Sequence, residues 1–288
     1  MIYFPNAKIN LGLKVLGRRD DGYHEVKSLF LPAGWCDVLE VHVVENGVSG
    51  KLDFSSEGLS IEGKEENNLV VKAHEVLSAD FELPEIKATL LKVIPTQAGL
   101  GGGSSDGSFM LKAINQLCSL GLSNDELRTY AAQLGSDCPF FIDNTPAMIE
   151  GRGEILSAPD FELDLEDFEV LIVHPGVGVS TAEAFKLLDQ VRETTDFNSL
   201  CDFNKLSSTR LSEYHTIVEN DFEIPVSQQN IEILNAIEFV KSAGTNYTQM
   251  SGSGSAVFGL FEKGKCDGLK LKSQAEDLGY TAHFGALL

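Results

Sequence analysis

The sequence predicts a mixed α+β (α/β) protein built as two domains. Three observations predict it. Strand-like alternation and helix-like spacing are interleaved in both halves of the chain, which points to layered sheets and helices. A length of 288 residues suits two domains of ordinary size, or one large one. The texture also changes after Asp160, where APDFELDLEDFE is acidic and turn-rich, so we place the boundary near 155 and the domains at 1–155 and 156–288.

Alternation predicts strands over 2–16 and again over 36–44. NLVVKAHEVLSA (68–79) reads as a helix, and IKATLLKVI (86–94) as a strand stopped by Pro95. PTQAGLGGGSSDGS (95–108) then places five of the 27 glycines in 14 residues. It feeds an amphipathic helix in which Phe109, Met110, Ala113, Ile114 and Leu117 recur at helical spacing. A second helix starts at Ser123, where S-N-D-E offers a capping box with Glu126, and it ends near Gly135. Asp137 follows that helix and precedes the apolar PFFI, read as a strand. Beyond the boundary, FEVLIVHPG reads as a buried strand, with helices near 181–189, 230–242 and 267–278. QMSGSGSAVFGLFE is strand-like, and a short strand closes the chain. No fixed-period repeat is visible.

Composition excludes several classes of function. The 43% hydrophobic and 23% charged residues are those of a globular chain, and no apolar run reaches the roughly 18–20 residues that span a bilayer. The start, MIYFPNAKINLGLKVLGRR, lacks the features of a secretory leader, so the expected compartment is the cytoplasm. With 22 basic and 43 acidic residues the net charge is -21, which leaves no basic face for nucleic acid and repels anionic lipid. A phosphorylated small molecule is still acceptable, because backbone amides and a few lysines can hold it. The five cysteines are scattered with no C-x-x-C, and the six histidines form no metal motif.

The glycine run is the strongest chemical signal. Glycines let successive N–H groups converge on an anion, and a helix N-terminus adds unpaired amides and partial positive charge. Ser104 and Ser105 add hydroxyls for phosphate or magnesium. The run lacks the lysine of a Walker A loop, and GLFEKGKC (259–266) ends in cysteine where that loop needs Ser or Thr. It also lacks a strict G-x-G-x-x-G. G-S-S-D-G (103–107) does match a nucleophile elbow with Ser105 as nucleophile, although a long loop separates it from the strand. Lys8 and Asn10 share one face of the first strand, either as an inward pair or as a solvated polar face. In DGYHE, Tyr23 and His24 offer stacking and hydrogen bonding to a base, or simply a turn at Asp21-Gly22. Asp137 suits a helix cap or a general base. SGSGS (251–255) is a second small-residue loop.

Taken in order, PNAKINLGL, RRDDGYHE, KVIPTQAGLGGGSSD, LGSDCPFF and MSGSGSAVFGLF resemble the GHMP kinase superfamily, and GYH resembles its branch with a cytidyl substrate. HPGVGVSTAEAF and VENDFE resemble further stretches of that branch. Gly107-Ser108 stands where the family has Ala-Ala, and Ser136 and Cys138 replace the commoner Ala and Val. The segment 188–211 resembles nothing assignable.

The resemblance implies a two-domain fold with the active-site cleft between the domains. It implies transfer of the γ-phosphoryl group of ATP, with magnesium, to the 2-hydroxyl of a CDP-linked methylerythritol on the non-mevalonate isoprenoid route. Sister kinases acting on homoserine or mevalonate are the alternatives, and a serine hydrolase through Ser105 is a remote one. It assigns catalysis to Lys8 and Asp137. Asn68, Lys92 and Pro95 would lie near the adenosine, and the phosphates on Gly99, Leu100, Gly101, Gly102, Gly103, Ser104 and Ser105, with Ser105 beside magnesium. The acceptor would meet Asn10, Tyr23, His24, Phe185, Ser251, Gly252, Ser253 and Gly254, with Tyr23 and Phe185 around the cytosine and His24 at its polar edge. Phe185 also reads as a core residue of its helix. The expected partners are these small molecules alone, with the chain a monomer or homodimer.

Overall fold

Pro5 separates two strands that the alternation ran together. In the computed structural model, which describes residues 1–61, 63–163, 165–194 and 200–288, β1 (Ile2–Tyr3) and β2 (Asn6–Arg18) belong to different sheets. β2 turns back through Asp21 and Gly22 into β3 (His24–Cys36), where the Tyr23 amide donates to Asp21 Oδ1 at 3.1 Å. Period-two reasoning missed β3 because its middle is buried on both faces, which erases the alternation.

The chain divides into two compact units that interleave along the sequence, whereas the sequence reading divides it once, near 155. Unit 1 is Met1–Ala7, Cys36–Pro95 and Gly101–Thr145. Unit 2 is Lys8–Trp35, Thr96–Leu100 and Pro146–Leu288.

Unit 1 holds one four-stranded sheet in the order β1-β4-β6-β5, with β4 at Val38–Val43, β5 at Leu52–Gly58 and β6 at Ile86–Lys92. β5 and β6 are parallel, and the other pairs antiparallel. Leu39, Val41, Ile86, Ala88 and Leu90 of this sheet share a core with helices α1 (Leu69–Ser78) and α2 (Gly102–Leu117). Helix α3 (Asn124–Leu134) opens with the expected capping box between Ser123 and Glu126. The segment after Asp137 is a short helix, α4 (Cys138–Asp143), rather than a strand. Pro139 in its first turn pre-sets a helical φ, and four apolar residues cannot distinguish the two by period.

Unit 2 contains two four-stranded sheets. One has the order β2-β3-β7-β8, with β7 at Ala147–Glu150 and β8 at Ile155–Ser157. The other is antiparallel β10-β11-β9-β12, with β9 at Phe168–His174, β10 at Tyr247–Met250, β11 at Val257–Glu262 and β12 at Thr281–Ala286. Leu171, Val173, Val257 and Phe261 of the second sheet share a core with residues of α5 (Thr181–Thr194), α6 (Glu223–Ser227), α7 (Ile231–Ser242) and α8 (Gly268–Asp277). Within the unassigned segment 188–211, α5 continues to Thr194 and a 3-10 turn spans Phe203–Ser208 with Phe203 and Leu206 buried. Residues 195–199 lie outside the described residues. Among the described residues, no helix is long and apolar enough to cross a membrane.

Helix α2 starts seven residues before the first apolar position that announced it. Its opening GGSSDGS has no periodic apolar signal, yet Gly102, Ser105, Asp106, Gly107 and Ser108 are all buried. A Cβ on Gly107 would lie 2.9 Å from Leu69 Cβ and 3.1 Å from the Leu69 carbonyl oxygen, so glycine is what lets α2 close on α1. Gly107→Ala sets a helix-propensity gain of about 1 kcal/mol against an overpacking cost of about 1–3 kcal/mol. We expect a lower urea midpoint for this variant. A raised midpoint would show that α1 and α2 separate at no cost.

Candidate functional site

In unit 2 the site residues hang on a buried polar network. Lys8 and Asn10 lie on β2 where it is covered on both faces, and Lys8 is only 3% exposed, so it is not a solvated surface lysine. Its Nζ donates to Asn10 Oδ1 at 2.5 Å and sits 4.2 Å from the centre of the Phe30 ring. That geometry is a cation–π contact, which offsets part of the cost of burying the charge. Asn10 Nδ2 donates to Ser28 Oγ at 2.9 Å, and Ser28 donates to the Gly12 carbonyl oxygen.

The same network fixes the two small-residue loops of this unit. The Asn10 amide donates to Ser251 Oγ at 3.2 Å, and Ser251 Oγ lies 2.9 Å from the Gly99 carbonyl oxygen. Asn220 Nδ2 holds the carbonyl oxygens of Met250 and Gly252 at 2.7 and 2.8 Å. A Cβ on Gly99 would fall 2.0 Å from the Ser251 carbonyl oxygen, and its φ of +75° is in the left-handed region, so only glycine fits there. The Lys8 amide donates to the Leu100 carbonyl oxygen at 2.9 Å. Lys8, Asn10, Gly99, Leu100, Ser251 and Gly252 are thus brought together. Ser253 Oγ is 3.3 Å from Thr181 Oγ1, and buried Gly254 donates its amide to the Ser251 carbonyl oxygen at 2.9 Å.

In unit 1 the glycine run becomes the start of a helix. α1, α3 and α8 each begin on a side chain that accepts from a backbone amide: Asn68, Ser123 and Asp267. α2 begins instead on Gly101, in the left-handed conformation and with no side-chain cap. Ser104 follows in the first turn, and open space surrounds Gly103. Ser105 is fully buried, and its hydroxyl has no hydrogen-bond partner among the described residues. A nucleophile elbow needs an exposed serine at a strand-to-helix turn with a base beside it. Ser105 lies inside α2 with none, and the hydrolase reading falls.

Lys92 ends β6, and the buried Pro95 follows it. The Lys92 side chain is 1% exposed, with Nζ donating to Asp37 Oδ2 at 2.5 Å and Asp106 Oδ2 at 2.7 Å. In this arrangement it has no surface to offer adenosine. Burial opposes its charge, but the Asp106 and Asp37 carboxylates outweigh that and raise its pKa. Burial pushes the Asp106 carboxyl well above the ordinary range, with Lys92 opposing. Asn68, the cap of α1, uses Oδ1 on the Val70 amide at 2.9 Å.

Asp137 is half-buried at the N-cap of α4, where it makes no capping hydrogen bond, and Ser136 Oγ lies 3.4 Å from its Oδ1. The neighbouring Cys138 thiol is pushed up to about 12 by burial, so it is no nucleophile. Ser108 Oγ is 2.7 Å from the Cys138 carbonyl oxygen and 2.8 Å from that of Ser104, its single proton serving one at a time. The serine found where the family has alanine therefore ties α2 to the residue after Asp137.

The pyrimidine group is placed differently from the expectation. Tyr23 is 58% exposed at the β2–β3 turn, with the Arg152 guanidinium 4.9 Å from its ring centre. His24 stacks on Phe185, centroids 4.3 Å apart and planes 11° from parallel, and its Nε2 is 3.3 Å from Asp189 Oδ1. His24 thus covers a face of Phe185 that a base would use. Phe185 and Phe222 meet edge-to-face, and Phe185 lies against the unit 2 core, so it is both a core residue and a half-exposed ring.

Sequence reasoning missed Asp37, Asp106, Ser28, Ser108 and Asn220 as supports of the site. Asp106 and Asn220 lay inside quoted motifs, but no spacing rule gave them a role. Asp37 and Ser28 carried no local signal. No group of three or more His, Cys, Asp or Glu side chains that could hold a metal exists among the described residues. The orphaned Ser105 hydroxyl is the group that fits magnesium, as a supplement to phosphate oxygens.

A family model described as the GHMP kinases N terminal domain matches residues 68–151. A 4-diphosphocytidyl-2-C-methyl-D-erythritol kinase of Parabacteroides distasonis is 42% identical over 263 residues, covering 91% of this chain and 92% of the relative. The crystal structure of a 4-(cytidine 5'-diphospho)-2C-methyl-D-erythritol kinase matches with a TM-score of 0.81 and 29% identity, over 100% of this chain and 99% of that one. The mevalonate kinase of Methanococcus jannaschii matches with a TM-score of 0.72 over 100% of this chain and 98% of that one, but at 14% identity that likeness concerns the fold alone. On this identity and coverage, with the glycine-rich start of α2 inside the matched domain, the chain belongs to the 4-diphosphocytidyl-2-C-methyl-D-erythritol kinase family of the GHMP kinases.

Proposed function

We propose that the protein transfers the γ-phosphoryl group of ATP to the 2-hydroxyl of 4-diphosphocytidyl-2-C-methyl-D-erythritol, on the non-mevalonate route to isoprenoid precursors. The observation that carries this reading is the uncapped glycine start of α2, with the buried, unpartnered Ser105 hydroxyl behind it. Such a helix start supplies amides and partial positive charge to a polyphosphate. The amides of 99–105 receive the phosphates, and Asn68 and Pro95 border the adenosine. The Ser105 hydroxyl would help hold magnesium beside the phosphates, and the ion would supply neutralisation of phosphate charge when bound.

In the transfer, the acceptor oxygen forms a bond to the γ-phosphorus while the bond from that phosphorus to the β–γ bridging oxygen breaks and ADP leaves. The hydroxyl proton goes to the Asp137 carboxylate, and Lys8 stabilises the developing alkoxide. A free carboxylate is in general a weak base for an alcohol. Proton transfer accounts for about 10²–10⁴ in rate, and alignment of the reacting atoms for about 7–11 kcal/mol. Phosphoryl transfer depends chiefly on positioning and charge neutralisation, so the glycine loop carries more of the barrier than Asp137. Asn10 and the 251–254 loop hold the acceptor near Lys8. Tyr23 stacks on the cytosine, with His24 and Phe185 completing the pocket once their own stack opens. The five free thiols suit a reducing compartment, and we place the reaction in the cytoplasm.

ADP release with magnesium-ATP should occur with the CDP-linked acceptor and not with mevalonate or homoserine. Turnover of another alcohol alone would discard the cytidine pocket, and silence on all three would overturn the proposal. Asp137→Asn should lower kcat by about 10²–10⁴-fold with the KM for ATP little changed. A large loss of ATP binding instead would count against its role. Tyr23→Ala removes a stacking face worth about 1–3 kcal/mol, so the KM for the CDP substrate should rise about tenfold while that for ATP stays. Parallel rises in both would contradict the assignment.

A further inference from the structure

The Lys92 ammonium, buried between two carboxylates, bridges the two ends of the glycine loop. Lys92 is the last residue of β6 and Asp106 lies in the second turn of α2, so their ion pair at 2.7 Å brackets the whole run 93–105. Asp37 pins the first end: its Oδ1 accepts from the Val93 and Ile94 amides at 2.5 and 2.8 Å, and its Oδ2 from Lys92 at 2.5 Å. Gly102 completes the fit, since a Cβ there would lie 3.0 Å from Lys92 Nζ and 2.9 Å from Ile94 Cγ2. The first turn of α2 therefore rests directly on the ammonium.

Stability alone is a poor account of this cluster. Taking charges out of water costs several kcal/mol per ion, and apolar replacements of buried ion pairs are often neutral or stabilising. Here a lysine and two aspartates are buried, and Asp106 Oδ1 has no hydrogen-bond partner among the described residues. A glycine-rich loop, by contrast, has much conformational freedom to lose when it binds a ligand, and tying its ends removes part of that loss beforehand.

We propose that Lys92, clamped between Asp37 and Asp106, is a positioning residue that holds the first turn of α2 in the geometry that receives the triphosphate. It acts through the loop rather than by touching nucleotide. This rests on the reading of that loop as the ATP phosphate site.

Asp106→Ala is the informative variant, because it cuts the link to α2 while leaving Lys92 paired with Asp37 and so strands no charge. Its kcat/KM for ATP should fall about a hundredfold, the scale of a small misplacement remote from the chemistry. Its KM for the CDP substrate and its thermal midpoint should hold. Asp106→Asn, whose amide oxygen still accepts from Lys92, should recover most of the loss. Unchanged ATP kinetics in a folded Asp106→Ala protein would overturn the proposal, as would a falling midpoint with both KM values rising together. If titration calorimetry showed that the unaltered protein does not bind ATP, the phosphate-loop reading would fall and the proposal with it.

Discussion

A helix start with no side chain to cap it is the constraint on which the rest of this protein's chemistry depends. The first amides of any helix need acceptors, and α1, α3 and α8 provide them from Asn68, Ser123 and Asp267. α2 does not, and nor do α4, α6 and α7, but α2 is the one that the glycine run feeds. An anion is the natural acceptor for such a terminus. The supports described above follow from keeping that terminus open and ordered: Lys92 beneath it, Gly107 closing α2 on α1, and Ser108 reaching the residue after Asp137.

Unit 2 supports its site residues through a buried polar network. Asn10 and the face of Phe30 both stabilise the Lys8 ammonium in its buried strand. Asn10 and Ser251 then connect that strand to the loop at 251–254 and to Gly99. Each member of this chain of hydrogen bonds has a defined partner, which is the condition under which buried polar groups specify one arrangement rather than many. The chain also explains why small residues recur in both loops. Gly99 has the Ser251 carbonyl oxygen where its Cβ would stand.

Much of this was legible in the sequence, for identifiable reasons. The strand at β6, the helices α1, α3, α7 and α8, and the Ser123–Glu126 capping box have regular periods or fixed end signals. The start of α2 was hidden because glycine and serine carry no amphipathic period, and β3 because burial on both faces removes alternation. Of the site, the glycine run, Lys8, Asn10 and Asp137 stood out by residue type and spacing. The partners Asp37 and Asp106 did not, since they meet Lys92 only through the fold, across 55 and 14 residues. The same limit applies to the pyrimidine group: DGYHE gives aromatic rings at a turn, but only the fold lays His24 on Phe185.

Hydrogen exchange across the chain, with and without a non-hydrolysable magnesium-ATP analogue, tests the central claim most directly. If the amides at the start of α2 hold the phosphates, nucleotide should slow exchange most strongly in the peptide spanning 99–105. Protection elsewhere in the chain, with that peptide unchanged, would contradict the account.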